Sequence, residues 1–438
     1  MAAAQSASLP AEVIVKAKHH VLDTLAAMVS GSRLKPGRLA IEYARAQEGR
    51  REAGVVGSDV VTTAATAAFA NGILAHADET DDSNQYARLH PGCSIVPAAW
   101  AMAERQKSNG RALLHAVVLG YDIGGRVNRA LRPKMLGNHS SHSIGGTFGA
   151  AAAAGSLALL DAQRHCYLLS YAAQQASGVR SWVADDEHVE KAFDFGGMPA
   201  RNGVMAALLV QSGFTGMRDV FQGERNFLEA YSPSPDSQEL VRELGSRYEI
   251  MLTSIKKFPA GFPIQAAADA LLLIMQRHGI RSQDVLRVAA RLPEDGARTV
   301  NDRSMADINL QYVLAVILLD GRLTFAAAHD YGRMREREVL KMKARIRLEV
   351  DEELTRAALP AQAIVELTTR DGRTLKEHVV SFRGAAENPM TTEEAEEKAR
   401  GLMAPVLGSE RVEKLLESMR GLESLTNLSA LRNLLAAG

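Results

Sequence analysis

The sequence predicts a mainly α-helical protein, in which a smaller α+β lid domain is inserted into a large all-helical domain. Three observations predict it. Apolar residues recur at helical spacing from the start of the chain to about Leu252, strand-like alternation is confined to about 284–383, and charged amphipathic helices resume at Thr391. With 438 residues, 46% of them hydrophobic, the chain holds more apolar surface than one core usually buries. Two domains are therefore expected, one of residues 1–255 plus 388–438 and an α+β lid of residues 256–387.

In the first part, Ser8 can cap and Pro10 can open a helix whose apolar side reads Ile14, Ala17, Val21, Leu25 and Met28, up to Gly31. Helical stretches follow at 60–76, 112–131, 146–160, 166–178 and 202–212. The Ala-rich run 149–154 has side chains so small that neighbouring backbones can approach closely, which predicts a central, buried helix.

Beyond Pro259 the periodicity changes. A helical run covers 264–275, and then Leu286, Val288, Ala290 and Leu292 alternate with other residues as one face of a strand. Met342, Ala344, Ile346, Leu348 and Val350 alternate with charged residues and read as a half-exposed strand. Residues 363–369, the Asp371-Gly372 turn and 374–382 read as a hairpin, since Asp-Gly supplies positive φ values for a tight turn. Glu394, three residues after Thr391, completes a capping box for the returning helices.

Charge and cysteine usage exclude several classes. Lys plus Arg equals Asp plus Glu at 51 each, so no sustained positive field attracts a phosphate backbone and no nucleic-acid partner is expected. Cys93 and Cys166 are far apart and lack metal-site spacing, as in a reduced intracellular compartment. The first eight residues have neither basic nor apolar signal regions, and the most apolar run, 150–160, is too short to span a bilayer. A cytoplasmic protein with no membrane partner is expected.

The densest polar cluster is His76-Ala77-Asp78-Glu79-Thr80-Asp81-Asp82-Ser83, followed by His90-Pro91-Gly92. So many adjacent carboxylates repel one another, so some must face water, a cation or histidines. The segment could equally be a solvated acidic loop, or a divalent-metal site built from His76, Asp81, Asp82 and His90, although no fixed ligand spacing supports a metal. A second turn, His139-Ser140-Ser141-His142, precedes Gly145-Gly146-Thr147-Phe148-Gly149, where helix-start amides favour an anion and an imidazole adds a proton donor. Lys191 leads into Phe193-Asp194-Phe195-Gly196-Gly197, and Lys256 opens the second domain; both have the ordinary alternative of solvated lysines. Tyr312 has that of a core tyrosine.

Taken in order, these segments resemble the MmgE/PrpD family. Asn71-Gly72, His76, Asp81-Asp82-Ser83 and His90-Pro91-Gly92 are similar to its Asn-Gly-helix-His run, acidic motif and His-Pro pair. Gly120-Tyr121-Asp122 with Arg126, the Gly/Ala-rich helix from Gly146, Lys191 with Gly196 and Asn202-Gly203, Lys256 with Pro259 and Asp269, and Tyr312 through Gly321 extend the likeness nearly end to end. The family includes 2-methylcitrate dehydratases, cis-aconitate decarboxylases and iminodisuccinate epimerases. The resemblance implies a helical domain with an α+β lid, a homodimer, and no required metal or organic cofactor. It places catalytic positions on Glu79, His90, Lys191, Lys256 and Tyr312, with His139 or its rival His142, and a site role on Ser83. The chain departs from the family pattern at Glu79 for Asp, Thr80 for an aromatic, Ser83 for Thr, Asp194 for His, and an extra Gly197.

The function expected is a cofactor-independent lyase or epimerase that moves a proton beside a carboxylate of a small di- or tricarboxylic acid. Such chemistry creates an enolate-like charge that must be stabilised. Lys191, Lys256 and Arg201 are expected to hold substrate carboxylates, His90, His139 or His142 and Tyr312 to carry protons, and Glu79 or Asp81 to orient a histidine. Substrate is expected between helical domain and lid, with closure completing the site. The rival readings are a metal-dependent hydrolase using His76, Asp81, Asp82 and His90, and a non-catalytic helical scaffold.

Overall fold

Pro10 lacks an amide hydrogen, which costs nothing at a helix start, and α1 (Ala11–Gly31) begins immediately after it. The computed structural model describes residues 1–131, 138–357, 359 and 361–437. Contacts divide the chain into two units: Met1–Ala77, Asp81–Thr253 and Thr391–Gly438 in the first, Asp78–Thr80 and Ser254–Met390 in the second.

The first unit continues with α2 (Lys35–Ala46), a two-stranded ribbon of β1 (Ala53–Gly54) and β2 (Val61–Thr62), α3 (Ala64–Ala75), α4 (Gly92–Gln106), α5 (Gly110–Leu131), α6 (Ser141–Leu157), α7 (Ala162–Gln175), α8 (Val189–Ala192), α9 (Met198–Gln211) and α10 (Phe227–Tyr231). Helix α6 lies at its centre, with every residue from Ser143 to Leu157 buried. Small side chains let its neighbours press in: a Cβ on Gly149 would lie 2.7 Å from the Gly120 carbonyl of α5, and one on Gly203 of α9 2.5 Å from the backbone of Ala150. The helix expected over 60–76 begins later, at Ala64, because Thr63 caps it by accepting from the Thr66 amide while Val61 and Thr62 pair with β1.

Between α8 and α9 the chain makes one π-helical turn, Phe193–Gly197. Such single π turns occur mostly as bulges within longer helices. The turn presses on α3, since a Cβ on Gly196 would lie 2.0 Å from the Gly72 carbonyl and one on Gly72 2.4 Å from the Gly196 carbonyl. Both partners are backbone and cannot swing aside. Gly196→Ala is therefore expected to lower unfolding stability by about 3 kcal/mol, read as a urea midpoint; a wild-type midpoint would contradict the close approach.

The second unit contains α11 (Gln265–His278), β3 (Val285–Leu292), α12 (Glu294–Val300), α13 (Leu310–Asp320), α14 (Phe325–Ala328), α15 (Arg337–Lys343), β4 (Ile346–Val350), α16 (Glu352–Arg356), β5 (Ala363–Thr369) and β6 (Thr374–Val379). Its sheet has the order β4-β3-β5-β6. Strands β3 and β4 are parallel, with Val288 opposite Ile346, as the long helical crossover between them permits, and the remaining pairs are antiparallel. Val288, Ala290, Leu292, Val365 and Leu367 share a core with Ala267, Leu271 and Ile274 of α11 and Val313 and Ile317 of α13.

Three strand details differ from the sequence reading. Leu286 is 48% exposed, because a register shift between Val285 and Arg287 turns it away from the face that buries Val288. Met342 belongs to α15, where it is buried at helical spacing from Val339, and the strand starts at Ile346. In the hairpin loop only Gly372, at φ 89°, takes positive φ among the described residues, so the connection is longer than a two-residue turn.

The chain ends in the first unit with α17 (Thr392–Leu407), opened by the Thr391/Glu394 capping box, then α18 (Ser409–Arg420) and α19 (Arg432–Leu435). Helix α17 lies along α1, where Lys398 pairs with Asp23 at 2.5 Å. No helix among the described residues is long and apolar enough to cross a membrane.

Candidate active site

In the first unit the acidic motif separates two adjacent carboxylates that do different work. Asp81 is fully buried, with Oδ2 3.0 Å from Nδ1 of His76 and both oxygens 3.2 Å from Nδ1 of His90. A carboxylate can only accept, so each ring carries a proton on the Nδ1 that faces Asp81. His76 caps the C-terminus of α3, and its Nε2 is buried without a hydrogen-bond partner among the described residues. His90 sits just before Pro91 and α4, 8% exposed.

Asp82, the next residue, turns the other way. Its Oδ2 accepts from the Tyr121 hydroxyl at 2.6 Å and lies 2.7 Å from Nδ1 of His20, and its Oδ1 accepts from the Gly92 amide at 2.8 Å. It ties α1 and α5 to the start of α4 and stands apart from the His76, Asp81 and His90 group, so the metal site read from the sequence loses one of its four ligands. The ligand atoms of the other three lie within 4.8 Å of one another, close enough for one divalent ion at the expense of both Nδ1 hydrogen bonds.

Phe195, which sequence reasoning passed over, organises the rings around this group. Its ring stacks on His76 at 4.4 Å on one side and on His142 at 3.7 Å, with interplanar angles of 13° and 12°. Trp182 meets it edge-on at 4.7 Å, and His188 lies 5.0 Å from His76. The ammonium of Lys191 lies 5.2 Å from the Phe195 centroid and 5.6 Å from that of Trp182, a cation over two aromatic faces. Burial holds the His142 pKa well below its ordinary value, and His90, His76 and Lys191 push the same way, so the ring is neutral at physiological pH. Its Nδ1 has no hydrogen-bond partner among the described residues.

The structure thus groups His90, Asp81, Lys191 and His142, and adds His76, Phe195, Trp182 and His188. His139 is elsewhere: it bridges to Val179 and its ring meets Tyr231 at 4.8 Å. Of the two rival histidines, His142 is the one beside His90, with ring centroids 5.2 Å apart. Arg201 bonds Asn202 and covers the Phe69 ring, and Ser83 accepts from Gln85 at 2.9 Å. The aromatic run Phe193-Asp194-Phe195 was the available signal for the stacking ring.

In the second unit, Lys256 is fully buried, donating to the Glu79 carbonyl at 2.8 Å and lying 3.3 Å from Glu79 Oε2. The Glu79 amide donates to Asp307. Tyr312 is a core residue whose hydroxyl donates to the Ala327 carbonyl at 2.6 Å. Burial pushes its pKa up to about 12 although Arg333 pulls downward.

His329 lies 3.1 Å from Asp78. Burial lowers its pKa, but the adjacent Asp78 carboxylate, with Asp307 beside it, outweighs burial and raises it from 6.5 to about 9. A raised folded pKa contributes stability that is complete below the unfolded value and lost as pH rises through the folded one, here between 6.5 and about 9. The contribution is about 3 kcal/mol. Asp78→Asn is expected to flatten the fall in unfolding stability over that window, followed by urea titration at several pH values; an unchanged profile would contradict the pairing.

Two domain families match consecutive parts of the chain: the MmgE/PrpD N-terminal domain over residues 1–240 and the MmgE/PrpD C-terminal domain over residues 258–424. The chain belongs to the MmgE/PrpD family. Among MmgE/PrpD relatives, it is 26% identical to cis-aconitate decarboxylase of Homo sapiens, over 97% of this chain and 90% of that protein. It is also 26% identical to cis-aconitate decarboxylase of Aspergillus terreus, over 98% and 92%. A 2-methylcitrate dehydratase-like protein of Aspergillus oryzae is 30% identical over a shorter stretch, 35% of this chain and 34% of that protein. This MmgE/PrpD chain is an enzyme.

Proposed function

We propose that this MmgE/PrpD enzyme is a lyase that moves a proton beside a carboxylate of a small polycarboxylic acid, without metal or organic cofactor, and that cis-aconitate or a close analogue is its substrate. The observation that carries the reading is the buried Asp81 carboxylate shared by His76 and His90, beside the neutral imidazole of His142 and the ammonium of Lys191. Asp81 fixes the His90 tautomer so that Nε2 is the basic atom. In a decarboxylation, the bond to the departing carboxylate breaks, its electron pair remains on carbon beside a second carboxylate, and a protonated imidazole supplies the hydrogen. In a dehydration, neutral imidazole takes the carbon-bound proton and hydroxide leaves with a second proton as water. In both, Lys191 offsets the negative charge that develops on the retained carboxylate. Glu79, Lys256, Tyr312, Ser83 and His139 remain site residues by resemblance, as does a homodimer; Arg201 as a holder of a substrate carboxylate and a cytoplasmic setting rest on the sequence reading.

The closeness of the His76, Asp81 and His90 ligand atoms favours a second reading, a metal-dependent hydrolase. Product formation from cis-aconitate, citrate-like and succinate-like acids is to be followed by NMR before and after exhaustive chelation. The lyase reading expects turnover of at least one acid to survive chelation unchanged. Loss on chelation with recovery on adding zinc or manganese would replace it with the metal reading.

A further inference from the structure

The proposed reaction gives Asp194 no task. It lies in the π-helical turn directly before Phe195, is 5% exposed, and accepts a hydrogen bond from the Ser140 hydroxyl. Ser140 is the N-cap of α6, yet its hydroxyl bonds no helix amide and turns to Asp194 instead. Gly178 closes the other side: its φ is 120°, and a Cβ there would lie 2.5 Å from Asp194 Oδ1. The Ser140 amide donates to the Gly178 carbonyl at 3.1 Å, so the carboxyl sits where the π turn, the start of α6 and the 177–178 segment meet.

His142 lies two residues beyond Ser140, and Phe195 one beyond Asp194, and the two rings stack at 3.7 Å. We infer that Asp194 is a positioning residue: by holding the first turn of α6 against the π turn, it sets the overlap of His142 with Phe195 and so the place of the His142 imidazole. The inference rests on the reading that His142 takes part in the reaction. Burial raises the Asp194 pKa to about 7, against the pull of the Ser140 and Ser143 hydroxyls, so this carboxyl is held at a cost in charge that a surface role would not need.

The test compares Asp194→Ala, Asp194→Asn and Ser140→Ala. Asparagine keeps an acceptor oxygen of the same reach. On cis-aconitate, Asp194→Ala and Ser140→Ala are each expected to lower kcat about tenfold to a hundredfold, with a smaller change in KM, and Asp194→Asn to stay within about threefold of wild type. The Asp194→Ala/Ser140→Ala double variant is expected to be no worse than the poorer single one, since both remove one contact.

A second readout needs no substrate. Trp182 lies 4.7 Å from Phe195 and 5.8 Å from His142, so in protein carrying 5-fluorotryptophan its fluorine resonance, assigned by its loss in Trp182→Phe, reports the stacking. It is expected to move in Asp194→Ala and Ser140→Ala and to hold in Asp194→Asn. Wild-type kcat in Asp194→Ala, a resonance that does not move, or equal losses in the alanine and asparagine variants would each overturn the inference. Where the wild-type protein leaves cis-aconitate unchanged, the functional reading fails by itself, and the resonance decides the positioning role.

Discussion

His90→Ala is expected to lower turnover at least about a hundredfold while the protein stays folded. The two parts of this expectation have separate grounds. His90 is 8% exposed and its ring centroid lies 5.2 to 5.5 Å from those of His76, His142 and Phe195, while Asp81 keeps its bond from His76 at 3.0 Å, so no buried carboxylate is stranded. In the proposed reaction what disappears is the basic Nε2 whose tautomer Asp81 sets, and losing a general acid or base costs two or more orders of magnitude in rate. The measurement is kcat on cis-aconitate, with circular dichroism and gel filtration on the same sample. Turnover within tenfold of wild type would move the proton to another group.

Asp82→Ala is expected to fail in the opposite way, through the fold. Its carboxylate is the acceptor for the Tyr121 hydroxyl and the Gly92 amide and the partner of His20, and all three are buried. Burial holds the Tyr121 pKa well above its ordinary value and lowers that of His20, so neither can ionise to relieve the loss. Leaving these donors without an acceptor costs about 3–5 kcal/mol, read from urea unfolding. A change below about 1 kcal/mol would mean that the three groups find other partners. The two neighbouring aspartates have separate partners: Asp81 holds His76 and His90, and Asp82 ties the helix framework.

Much of this arrangement is legible in the sequence because it depends on local pattern. The Ala-rich run at 149–154 announces a buried helix, since small side chains in a row have few other uses, and Thr391 with Glu394 marks the return to helix by a capping box that the structure contains. Pairing is harder to read. Leu286 continues the alternation of Val288 and Ala290, and nothing in the spacing reveals the register shift that exposes it. Met342 fits a period of two and a period of three equally, and in the structure it shares the buried side of a helix with Val339.

In the candidate site, the residue types were legible and the partners were not. Asp81 and Asp82 look alike in a run of carboxylates, and their separation follows from which way the chain faces as it leaves α3, a matter of tertiary packing. His139 and His142 lie on one turn, and the choice between them depends on the stacking partner Phe195, which reaches His142 because the π turn carries it there. Gly196 and Gly72 are the visible trace of that approach, since their backbones touch.

In the proposed reaction the imidazole–carboxylate group moves protons at carbon beside a carboxylate, and solvent deuterium follows that transfer. The wild-type protein is to be incubated with cis-aconitate in deuterium oxide and followed by proton NMR. The expected result is one deuterium at a carbon next to a retained carboxylate in the acid recovered or formed, abolished in His90→Ala. Conversion of the acid with protium kept at every such carbon would contradict the account.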